Sequence, residues 1–319
     1  MKNIYIGTII ILAIVMLTFP LMANSKQAPH STDSITANTT PLDNTSNNET
    51  IKVYMSESKE VKVFNMEDYI FGVVAAEMPA LYSDEALKAQ AVAAYTYALY
   101  KSSQNALENY DITDNFQTDQ AFVTVDKARE KWGTDADTYE GKIRSAIKSV
   151  AGKKITYNSG VILAVYHAIS SGNTENALDV WGGSYDYLVS VESLGDKLSP
   201  NYLTTAEFTV EDLKTKLSGL AEFSGDAKDY FGETVRTESG SVKTVNICGK
   251  QVEGSVIRAA LDLRSANFDV AFSTDKFVFT VRGYGHGIGM SQYGAHYMAM
   301  QGKNYEEILK HYYQGCEIK

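Results

Sequence analysis

The chain has 319 residues and carries 29 basic against 39 acidic side chains, a formal net charge of −10 at pH 7. An acidic chain with no basic stripe suits a phosphate backbone poorly, so nucleic acid is not an expected partner. Two cysteines, Cys248 and Cys316, exclude a disulfide scaffold and a multi-cysteine zinc site; in an oxidising compartment they are either available to pair or two unrelated thiols.

The chain opens with Lys2 and then an uncharged, mostly apolar run from Ile4 to Ala23, long enough to cross the hydrocarbon core of a bilayer as a helix. A cleaved signal peptide is the alternative, but Leu21 and Ala23 fit the small-residue cleavage pattern poorly and the run is long for such a leader. Either way the rest of the chain is exported. Residues 24–50 are mostly Ser, Thr, Asn, Asp and Pro and read as a flexible linker. The expected order is therefore a short cytoplasmic N-terminus (1–3), a transmembrane anchor (4–23), the linker (24–50) and an extracytoplasmic region (51–319). That region is one large domain or two closely joined ones.

Alternation in 51–55 and 61–64 around a polar turn predicts a hairpin. Asn65 then caps a helix in which Met66, Ile70, Val73, Val74 and Glu77 share a stripe, and Pro79 ends it. Ser83 caps a second helix through the alanine-rich stretch 86–100. Residues 103–135 carry no clear periodicity, 139–150 has helical spacing, and 155–166 predicts a second hairpin ending at His167. Further on, 209–217 and 255–263 predict helices, 233–247 strands around Ser239-Gly240-Ser241, and 277–281 a strand. Four glycines, Gly283, Gly285, Gly287 and Gly289, precede two last helices near 291–300 and 305–313. No βαβ regularity or internal repeat is visible. The expected class is α+β, mixed helices and antiparallel strands behind an N-terminal transmembrane helix.

Glu77 is the most informative side chain, because a carboxyl group on an apolar stripe beside Ala75, Ala76 and Met78 loses water and tends to stay protonated. Such an acid can protonate a departing glycosidic oxygen. An ion pair with Lys88 is the plainer reading. His167 enters a loop of small polar groups, including Ser170, Ser171, Thr174 and Glu175, of a kind that often binds ligands. In the glycine-rich stretch, His286, Gln292 and Tyr293 are expected to face a cleft while the glycines let the backbone approach another element. The spacing does not fit a phosphate loop, and no metal-binding spacing joins Glu77, His167 and His286, so neither metal nor cofactor is expected.

Three stretches, 69–94, 167–176 and 283–313, with a fourth at 254–265, resemble the stage II sporulation protein D family and its relative, the amidase enhancer. The resemblance implies a lytic transglycosylase that cuts peptidoglycan glycan strands during forespore engulfment, alongside an amidase and a membrane-protein partner. It places the domain outside a single-pass anchor in the cell membrane, at the sporulation septum or engulfing membrane. Glu77 stands at the family's essential Glu and Lys88 at a family position, as a substrate-orienting residue with His167, Ser170, Ser171, Thr174, Glu175, His286, Gln292 and Tyr293. Tyr95 departs from the family's usual Arg. The segment Phe116 to Phe122 lacks the Cys and His with which some relatives hold zinc, so no metal is carried over. A hydrolase using Glu175 or Asp179 as second carboxylate, and a non-catalytic wall-binding amidase enhancer, are the alternatives.

Overall fold

The computed structural model describes residues 49–183 and 185–319. The expected anchor and nearly all of the linker lie outside the described residues; among those described, no helix is long and apolar enough to cross a membrane. The expected α+β class is found, with helices mixed among small, mainly antiparallel sheets.

The 51–64 hairpin forms as β1 (Thr50–Met55) and β2 (Glu60–Asn65), with Tyr54 opposite Val61. The short strand β3 (Ile112–Thr113) joins β1 in parallel. Asn65 caps α1 (Met66–Glu77) by accepting from the Glu67 N–H at 2.9 Å. The residues of α1 from Tyr69 to Ala75 are all buried, so a single apolar stripe understates it: the helix runs through the core with neighbours on most sides. α2 (Asp84–Gln104) lies against it and buries Ala86, Ala89, Ala91, Ala93, Ala94 and Ala98, small side chains that let several helices approach closely. Ser83 starts α2 without a side-chain cap bond; its N–H and Oγ turn to His296 Nδ1 at 3.0 and 3.1 Å. Two helices fill the stretch that follows, α3 (Val125–Trp132) and α4 (Ala136–Ser149).

The second predicted hairpin needs correction. β4 (Ile155–Tyr157) meets a return strand of only two residues, β5 (Gly160–Val161), after which the chain leaves the sheet. His167 belongs to a separate strand, β6 (Tyr166–His167), which pairs in parallel with β13 (Met290–Ser291). The continuous apolar run 161–166 resembles a buried strand, but Ile162, Leu163 and Ala164 are buried among side chains of the first core instead.

After a short helix, α5 (Ala177–Trp181), the chain builds a second hydrophobic core from residues 203–281. Strands β7 (Leu203–Thr209), β11 (Phe268–Ser273) and β12 (Lys276–Arg282) form one antiparallel sheet in the order β11-β12-β7. Strands β8 (Phe231–Arg236), β9 (Val242–Ile247) and β10 (Lys250–Glu253) form another, and helices α6 (Val210–Leu217) and α7 (Gly254–Leu261) complete the core. Phe268, Phe277 and Phe279 are fully buried there. Entry and exit of this segment adjoin, since Leu203 faces Arg282 and the Gly283 N–H donates to the Tyr202 carbonyl at 2.8 Å. The glycine stretch then returns the chain to the first core, where α8 (Gln292–Met300), α9 (Tyr305–Tyr312) and β14 (Glu317–Ile318) close it. Cys248 and Cys316 remain free thiols.

Candidate active site

Glu77 ends α1, because Pro79 lacks the N–H a further turn would need and holds Met78 before it in an extended conformation, φ −129° and ψ 135°. Its carboxyl oxygens have two partners: Oε1 accepts from the Ala121 N–H at 2.9 Å and Oε2 from Gln292 Nε2 at 3.4 Å. Burial raises its pKa above the ordinary carboxyl value, and the two hydrogen bonds offset this only in part. Lys88 is not its partner; that ammonium pairs with Glu85 at 2.6 Å, while the other oxygen of Glu85 accepts from the Tyr305 N–H.

The segment that brings Ala121 to Glu77 is pinned on both sides. Asp119 accepts from the Thr113 N–H and Oγ1 and pairs with Lys101, while buried Gln120 donates to Tyr69 Oη and accepts from Tyr166 Oη at 2.8 Å. Val123 N–H donates to the Gly72 carbonyl. Gly72 allows this crossing, since a Cβ there would collide with Phe122 and the Val123 carbonyl. Gln292, at the first turn of α8, also shares its Nε2 with Gln90 Oε1 at 3.4 Å. One side-chain amide and one backbone N–H thus hold the carboxyl group, Gln90 bonding the amide behind it, and among the described residues no hydrogen bond or ion pair joins it to a second carboxylate or a cation.

Beside Glu77 opens a cleft of about 400 Å³. It is lined by Ala75, Ala76, Leu81, Lys131, Trp132 and Tyr139 beside Glu77. Nothing in the unpatterned stretch 103–135 marks Trp132 or Ala121 as neighbours of Glu77; only the fold brings them there.

The remaining expected site residues form two further clusters. His167 is buried and donates through Nδ1 to the Ile288 carbonyl at 3.1 Å, with its ring 5.7 Å from that of His286. His286, half-buried, accepts from the Ile288 N–H and lies 5.5 Å from the Trp181 ring. Burial holds both imidazoles neutral, lowering His167 to about 4 and His286, which also faces His167 and Arg258, to about 3. Glu175 is buried beside Thr237 and Ser241, and burial raises its pKa. Gly285, at φ +115°, makes room for this packing, as a Cβ would come within 2.6 Å of His167 Cβ.

The other cluster centres on Asp196, fully buried, which accepts from the Ser170 N–H at 3.0 Å and Ser291 Oγ at 2.8 Å. Ser171 Oγ donates to the Ser239 carbonyl, and the Thr174 carbonyl accepts from Ser239 Oγ, so both loop residues meet the β8–β9 turn of the second core. Tyr293 Oη donates to the Leu198 carbonyl, and its ring stands edge-on to Tyr82. Of the expected binding residues, Gln292 alone touches Glu77. Tyr95, where the resemblance leads to the expectation of Arg, donates to Glu49 at 3.0 Å.

A lone carboxyl group, desolvated by burial, held by a backbone N–H and a side-chain amide at a helix end and bordered by a cleft with aromatic residues, is the distinguishing feature of this site. Comparison with known proteins gives the family. Residues 54–157 match the family model SpoIID, described as stage II sporulation protein. Stage II sporulation protein D of Bacillus subtilis (strain 168) is 40% identical over 271 residues, covering 84% of this chain and 78% of the relative. Its counterpart in Bacillus amyloliquefaciens is 39% identical over 272 residues, with the same coverage. The amidase enhancer of Bacillus subtilis is 28% identical over 298 residues, 77% of this chain and 40% of that protein. The chain belongs to the stage II sporulation protein D family.

Proposed function

We propose that this sporulation-family protein is a peptidoglycan lytic transglycosylase, with Glu77 as its single general acid and base. The observation that carries the reading is the setting of Glu77: burial favours its protonated form, and its contacts are amides. The protonated carboxyl group gives its proton to the bridging oxygen as the bond from that oxygen to C1 of the muramic acid breaks. The carboxylate left behind takes the proton of the C6 hydroxyl while O6 bonds to C1. The products are a 1,6-anhydro end and a new hydroxyl on the leaving sugar; no water is consumed. A glycosidase of the usual hydrolytic kind needs a second carboxylate across the scissile bond; of the two sequence candidates, Asp179 pairs with Lys243 at 3.0 Å and Glu175 is buried beside Thr237 and Ser241. Lys88, His167, Ser170, Ser171, Thr174, Glu175, His286 and Tyr293 are proposed to line or support the glycan path, and Gln292 to position Glu77.

The proposal includes an N-terminal membrane anchor at 4–23, a linker at 24–50 and an exported domain at 51–319, acting on glycan strands at the sporulation septum or engulfing membrane beside an amidase. Likeness to a protein named amidase enhancer, with Tyr95 directed to Glu49, favours a second reading as a non-catalytic stimulator of an amidase. Peptide-free glycan strands incubated with the purified exported region separate the two. Release of anhydro-ended fragments, abolished in Glu77→Ala, is the expected outcome. Activity only in the presence of an amidase, unchanged by Glu77→Gln, would establish the second reading.

A further inference from the structure

Trp132 has no role in the acid–base chemistry, yet it stands in the wall of the cleft that Glu77 borders. It is the last residue of α3, where the helix stops at Gly133 with φ +55°, so its indole is only half-buried. Its ring is fixed by two edge-on neighbours, Phe71 of α1 at 6.0 Å and Tyr139 of α4 at 5.8 Å, with interplanar angles of 88° and 90°. Such packing immobilises an aromatic plane before any ligand arrives. The same cleft is lined by Ala75 and Ala76, small side chains that take up little of its volume. At about 400 Å³ the space lies in the range of small-molecule sites, roughly 300–1,000 Å³.

We infer that Trp132, braced by Phe71 and Tyr139, is the platform on which one pyranose ring of the glycan stacks in the subsite adjoining Glu77. The inference rests on the transglycosylase reading for its substrate class, and it assigns Trp132 to substrate positioning. A pyranose ring presents axial C–H groups on one face, an apolar surface suited to an aromatic plane, while its hydroxyl and amide groups at the rim stay available to water and polar side chains. The preformed indole then sets the height and tilt of the ring relative to the acid.

Trp132 and Trp181 are the two tryptophans of the chain, so in a Trp181→Phe background indole emission reports on position 132 alone. Titration of that variant with short oligomers of N-acetylglucosamine should shift and saturate its emission, in step with heat release in calorimetry of the same mixture. Trp132→Ala should weaken oligomer binding and raise KM for peptide-free strands about tenfold or more, corresponding to about 1.4 kcal/mol, with a smaller effect on kcat. Trp132→Tyr should recover most of the loss, which a purely structural role for the indole does not predict, and thermal unfolding of each variant monitors the fold. Saturating calorimetric binding with no change in emission would overturn the inference, as would a folded Trp132→Ala with unchanged KM. Either outcome leaves anhydro-end production by the parent protein intact. Conversely, an emission shift without glycan cleavage would sink the transglycosylase reading and retain the sugar platform.

Discussion

Gln292→Leu tests whether the amides around Glu77 set its proton affinity. The substitution removes the Nε2 donor that lies 3.4 Å from Oε2 and keeps an apolar side chain of similar size at the first turn of α8. A hydrogen bond to a charged acceptor contributes about 1.5–3 kcal/mol, and the length of this one places it at the low end. One pKa unit corresponds to about 1.36 kcal/mol, so the pKa of Glu77, already raised by burial, should rise by about one further unit. The general acid must be protonated before bond cleavage, so activity falls as pH rises through this pKa. Removing the donor therefore moves the falling limb of the pH–rate profile to higher pH by about one unit. The assay is release of anhydro-ended fragments from peptide-free strands across a pH series, read as kcat/KM. Gln292→Glu, which sets a like charge beside Glu77, should move the same limb further. A limb that stays in place or moves down in a folded Gln292→Leu protein would refute the assigned contact.

Burial that raises the pKa of Glu77 also makes its ionised form costly to the fold. Its favourable contribution is complete below the unfolded carboxyl pKa and is lost as pH rises through the folded value. Glu77→Gln, which cannot ionise, should therefore be more stable than the parent above the folded pKa, with the difference vanishing in acid; urea unfolding at paired pH values measures it. Gly72→Ala places a methyl group against Phe122 and the Val123 carbonyl, and should cost about 1–3 kcal/mol of stability by overpacking. By displacing the segment that carries Ala121, it should also lower kcat more than it raises KM, which steady-state kinetics resolves.

Residues with a local signature were legible in the sequence. Asn65 announced its helix by side-chain capping, the 51–64 hairpin by alternation, and Glu77 by its apolar neighbours, all consequences of backbone geometry within a few residues. The hairpin expected to end at His167 does not form, because a short apolar run such as 161–166 fits a buried strand and a strandless core segment equally well. Trp132 and Ala121 were invisible as site residues for another reason. Their position depends on the contact between α3, α4 and α1 and on the close crossing at Gly72, which sequence spacing does not encode. His167 and His286 did come together, with Gly285 as the permissive residue, but as a packed neutral pair beside Trp181.

The paired ends of the 203–282 segment have a modular consequence. Because β7 enters beside the point where β12 leaves, the chain connects the first core to this whole stretch at a single point. Insertions, deletions or a different small domain can be accommodated beyond that point while the strand order and helix contacts around Glu77 keep their connectivity. The tip of the β8–β9 hairpin, with Ser239 bonded to Ser171 and Thr174, is where such a replacement would still be felt by the loop following His167. Length variation among related chains is thus expected to gather in this cartridge and to spare the turn at residues 237–241.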